Sequence, residues 1–90
     1  MSGAGRVIDV QERSDYRTQG HSVLWLLTDF DPGPSPDGLK RNAVQIEPVS
    51  PAPARGDLIA WGPHHVEWHG QRLAKIGHEF DPNDPALYTG

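Results

Sequence analysis

HVEWHGQRLAKI, residues 65–76, reads as a β-hairpin closed by the two-residue turn His69-Gly70. A two-residue hairpin loop needs backbone with positive φ, and glycine supplies it at one position. Closing the chain there fixes the register. Trp68 faces Gln71, Glu67 faces Arg72, Val66 faces Leu73 and His65 faces Ala74. Opposed residues share a face, so Val66 meets Leu73 on an apolar face while Glu67 and Arg72 pair their charges on the other. Two independent pairs agree on one register.

Upstream of the hairpin, Gly62-Pro63 turns the chain out of a short strand, Asp57 to Trp61. Pro51-Ala52-Pro53-Ala54-Arg55-Gly56 before it is a stiff connection. Leu39 to Val49 contains a third strand, with Val44 and Ile46 on one face and Gln45 and Glu47 on the other. Asp31 to Gly38, DPGPSPDG, is a surface loop, because three prolines and two glycines in eight residues leave no room for regular structure.

His21 to Phe30, HSVLWLLTDF, is a strand whose centre is apolar on both faces. A half-exposed strand alternates, so this one lies between two layers or turns a face to another protein. Arg6 to Val10 is a short strand, and the polar residues 11–20 form a long loop or hairpin tip. Residues 1–5 are a small, flexible N-terminal arm. Residues 79–90 are an irregular tail, with turn formers at Asp81-Pro82 and Asp84-Pro85. Six short strands with turns every eight to twelve residues define one all-β domain, a small antiparallel barrel or sandwich.

Ninety residues make one domain, burying roughly 65% of the unfolded surface. Leu, Ile, Val and Phe number 19, just above the roughly 20% below which chains tend to stay disordered. A core this small suggests that a partner surface completes the fold. There is no cysteine, which excludes disulfide staples and thiolate metal sites. The net charge of −4 and the scattered basic residues argue against sequence-specific nucleic-acid binding. No apolar run exceeds five residues, so neither a signal peptide nor a membrane span is expected.

Histidine is the first place to look for chemistry. On an extended strand, His65, Glu67 and His69 project from one face, with His78 on the return, and imidazole with carboxylate can hold a divalent metal. The hairpin competes with that reading, since it spends His69 on the turn and Glu67 on Arg72. A solvated strand face is the simpler account, and no metal or cofactor is expected. The acidic residues Asp29, Asp31, Asp81 and Asp84 lack the twelve-residue calcium loop with its terminal glutamate, and read as turn caps. No nucleophile elbow or phosphate-cradling glycine loop is present, so no catalytic residue is assigned and the chain reads as non-enzymatic. Trp25, Trp61 and Trp68 are core candidates, and any of them can serve as an interface anchor.

Three stretches resemble one family. AVQIEPVS (43–50) looks like the strand and proline-containing turn of small head–tail joining proteins of long-tailed bacteriophages. HVEWHGQRLAKIG (65–77) resembles their hairpin, and residues 79–90 resemble their Pro/Asn-rich segment ending in Thr-Gly. Together these cover about half the chain. The resemblance implies a β-barrel without catalysis, a connector or stopper subunit that forms a ring between portal and tail. The implied partners are copies of itself and the portal or adaptor and tail proteins, with the virion, assembled in the host cytoplasm, as its location. The ring interface is heterologous. It would draw on Trp25, Leu27 and Phe30, on Pro34 and Asp37 in the proline-rich loop, and on Phe80 and Tyr88 in the tail. Three other classes fit the residues: a capsid decoration protein, a small acidic inhibitor of a host protein, and a metal-dependent barrel enzyme using His65, Glu67 and His69.

Overall fold

The computed structural model describes residues 2–14, 21–31, 33, 36, 38 and 40–76. Among them are six strands: β1 (Gly3–Ser14), β2 (Ser22–Thr28), β3 (Ala43–Ile46), β4 (Leu58–Trp61), β5 (His65–Trp68) and β6 (Gln71–Ile76). All neighbours pair antiparallel, in the order β1-β2-β3-β6-β5-β4, and β4 returns to β1 to close a barrel. Of the two all-β architectures expected, the barrel is the one formed.

The hairpin holds the expected register throughout: Trp68 opposite Gln71, Glu67 opposite Arg72, Val66 opposite Leu73, His65 opposite Ala74. Both turn residues have positive φ, 49° at His69 and 76° at Gly70. That is the backbone of a type I′ turn, whose twist matches the two strands.

β1 makes closure possible. Gly3–Arg6 pair with β4, whereas Val7–Ser14 pair with β2. A register shift between Val7 and Asp9 marks the change, at the exposed Ile8. A bulge of this kind bends a strand, which a small barrel needs at its corners. The bend is braced from both sides. Arg6 N–H donates to Asp29 Oδ1 (2.8 Å), while Val7 exchanges backbone bonds with Gly56 and Asp57 (both 2.8 Å).

β1 is longer at both ends than expected. Residues 3–5, expected in a flexible arm, are strand. Small residues predict freedom there, but at Gly3 and Gly5 they permit close approach. A Cβ on Gly3 would stand 2.7 Å from a Trp61 ring carbon and 3.0 Å from Phe30. Residues 11–14, expected in a loop, pair with β2. Their polar side chains tolerate the strand because they are exposed or half-exposed. The tip at 15–20 and the tail at 79–90 lie outside the described residues.

Alternation fills the barrel. Val7, Leu24, Leu26, Val44, Ile46, Ile59, Trp61, Val66 and Trp68 form the interior, with Val10, Phe30 and Leu73 packed against it. Phe30 meets Trp61 edge to face at 5.3 Å, the favoured geometry for an aromatic pair. Trp61 Nε1 is buried with no hydrogen-bond partner. The other residues of β2 point outward and are also buried: Val23, Trp25 and Leu27 cluster with Ala43, and Ile76 packs on them. This is the two-sided burial that VLWLL requires. At its end, Thr28 closes on Asn42 through backbone and hydroxyl bonds to one carbonyl (2.8 and 2.7 Å).

Candidate functional site

The outer face where β1, β4 and the hairpin meet carries the most distinctive exposed surface. β4 is LIAW, and strand alternation sends Ile59 and Trp61 inward. Leu58 and Ala60 therefore face out. Their partners across the two seams are Arg6 and Ala4 of β1 and, beside Ala60, Glu67 of β5. Two alanines leave a low floor. Leu58 stands beside it 62% exposed, the most exposed large apolar side chain among the described residues. The result is an open groove of about 530 Å³, with Ala4, Leu58 and Ala60 along it and Glu67, His69 and Arg72 on its rim.

One end of the groove is held by Asp57. The turn from Ala54 to Asp57 is closed twice, by Asp57 N–H to the Ala54 carbonyl (3.0 Å) and by Ala54 N–H to Asp57 Oδ2 (2.9 Å). The same oxygen accepts the Trp68 indole N–H at 2.9 Å. Asp57 Oδ1 lies 3.8 Å from His69 Nε2, and the His69 ring stacks on Trp68 at 4.7 Å. The Ala54 and Trp68 hydrogen bonds, aided by the charge of His69 and opposed by partial burial, hold the Asp57 carboxyl below its ordinary range. Arg6 Nη1 donates to the Gly56 carbonyl at 2.6 Å, so a guanidinium lies against the same turn, across the strand seam from Leu58.

The histidines expected on one face separate. His65 and Glu67 do lie together on the outer face, 3.7 Å apart. His69 is taken by the turn and faces Asp57 instead. Glu67 is shared with Arg72 at 3.5 Å. Among the described residues, no group of three or more His, Cys, Asp or Glu side chains is placed to hold a metal. The reason is geometric: a positive-φ residue in a two-residue turn leaves the alternation of the strand before it.

Of the residues expected at an interface, Trp25 and Leu27 are buried in the outer cluster of β2, so the isolated chain does not expose them. Phe30 is half-buried against Trp61. Pro34, Asp37, Phe80 and Tyr88, with His78 from the metal reading, lie outside the described residues. All three tryptophans are buried, as core candidates should be. The groove itself was not anticipated. Its signal is present in Asp57-Leu58-Ile59-Ala60-Trp61: once Ile59 and Trp61 are assigned inward, Leu58 is left on the outside.

An apolar wall, a floor of small residues and a charged rim make a surface suited to contact with another chain. No family model, curated protein or solved structure matches the chain.

Proposed function

We propose that the chain is a non-enzymatic virion structural protein, a head–tail connector or stopper subunit that assembles as a ring between portal and tail. The observation that carries this reading is where the family-like stretches fall. Residues 43–50 contribute β3, and residues 65–77 contribute the β5–β6 hairpin. These are adjacent in the barrel through the β3–β6 pairing, Gln45 opposite Ile76. A closed small barrel is the architecture the resemblance implies. The exposed Leu58 beside a low groove supports the reading, because an assembly subunit needs apolar surface that its own core does not use. The partners are copies of itself and the portal or adaptor and tail proteins. The chain's acidic balance supports protein rather than nucleic-acid contacts.

Light scattering over a concentration series, with electron microscopy of the same samples, tests this. Rings of one size, growing in with concentration, are the expected result. A chain that stays monomeric and ring-free up to its solubility limit contradicts it.

A further inference from the structure

We infer that the groove on the outer face of β1 and β4 receives the C-terminal segment of a second copy of this chain. This rests on the assembly reading above and names the contact that would build the assembly.

The first argument is direction. β6 begins beside the groove, with Gln71 and Arg72 lining it, and runs away to Ile76, which pairs with Gln45 of β3. The described chain therefore ends at β3, which is not among the strands that line the groove. The second argument is reach. Fourteen residues follow Ile76. Fully extended they span about 46 Å at roughly 3.3 Å per residue, more than the longest dimension of the molecule, 37 Å.

The third argument is chemistry. Residues 77–90, GHEFDPNDPALYTG, carry three carboxylates (Glu79, Asp81, Asp84) and no Lys or Arg. They also carry Phe80, Leu87 and Tyr88. The groove offers guanidiniums beside an uncovered apolar side chain. Arg72 is on its rim, 3.5 Å from Glu67, and Arg6 is the cross-strand neighbour of the exposed Leu58. Apolar anchors on Leu58, with carboxylates added to those that Arg72 and Arg6 already face, fit the segment to this surface. Pro82 and Pro85 restrict the segment before it binds, which lowers the entropy lost on docking. Groove and segment are different surfaces of one chain, so the contact is head to tail and generates a ring or filament.

The chain has no cysteine, which makes a cross-linking test clean. Full-length Ala60→Cys chain is mixed with full-length Leu87→Cys chain under mild oxidation, and disulfide dimers are followed with time. A control mixes Leu87→Cys with Ser14→Cys, exposed at the far end of β1. Docking raises the effective concentration of the paired thiols, so the first mixture should form mixed dimers about tenfold faster or more. Adding Leu58→Asp to the Ala60→Cys chain should remove that advantage. Equal rates in the two mixtures would overturn the inference. So would a double variant, Ala60→Cys with Leu87→Cys, that closes its disulfide within one chain. Rings seen by microscopy without the cross-link would discard this contact and leave the connector reading standing.

Discussion

Trp68 donates its indole N–H to the Asp57 carboxylate at 2.9 Å, and so ties the hairpin to the turn before β4. The ring of Trp68 is inside the barrel with 5% of its surface exposed, while its nitrogen reaches the edge. One side chain thus fills the core and fixes a loop.

Truncating it removes both roles. Trp68→Ala should lower stability by about 3–5 kcal/mol, the range for emptying an aromatic site in a packed core. Thermal melting followed by circular dichroism measures this, and an unchanged midpoint would place the ring on the surface. Trp61 provides a contrast, because its indole N–H is buried without a partner. Trp61→Phe discards an unpaired donor and Trp68→Phe breaks a bond, so the second should lower the melting midpoint more.

Acid should weaken the Asp57 tie. The Ala54 and Trp68 hydrogen bonds depress the folded-state pKa of Asp57 below its ordinary value. A depressed carboxyl contributes stability above its unfolded pKa and loses it as pH falls through the folded value. The melting midpoint of the wild type should therefore drop between about pH 5 and pH 2, and Asp57→Asn should flatten part of that drop. The variant should also melt lower than wild type at neutral pH. Parallel pH curves for the two proteins would count against the tie.

Gly3 reports on the closing seam. Adding a methyl there puts it 2.7 Å from Trp61 and 3.0 Å from Phe30, both ring atoms of a packed pair. Gly3→Ala should cost about 1–3 kcal/mol, as overpacked cores do. Chemical denaturation quantifies it; a neutral substitution would mean that β1 does not cross over Trp61.

The hairpin turn and the hairpin charge pair should respond differently. Gly70 has a φ of 76°, so Gly70→Ala should cost about 1–2 kcal/mol. Glu67 and Arg72 are mostly exposed and 3.5 Å apart, so Glu67→Ala should change stability by at most about 1 kcal/mol. Urea titration of both variants would show whether the turn or the ion pair sets the register.

The hairpin was legible because its turn and its two facing pairs depend only on neighbours in sequence. The two-sided burial of β2 was legible for the same reason, since VLWLL has no polar position. The beginning of β1 was not. Gly3-Ala4-Gly5 is strand because it pairs with β4, and the close approach of Trp61 and Phe30 to Gly3 and of Asp29 to Gly5 depends on residues far away in sequence. Projection of His65, Glu67 and His69 from one face needs a continuous strand, and the chain reverses at His69. The groove was hidden because it needs two seams, β1 with β4 and β4 with β5, and neither is apparent before the barrel closes.

The groove exists only because β1 closes on β4, and the barrel only because β3 meets β6. Backbone nuclear Overhauser contacts on the full chain test both seams directly. Contacts linking Gly5 to Ile59 and Gln45 to Ile76 are the predicted result. A spectrum with the hairpin contacts intact but either of these pairs missing would describe an open sheet and contradict the closed barrel, and loss of the Gly5–Ile59 contact would remove the groove as well.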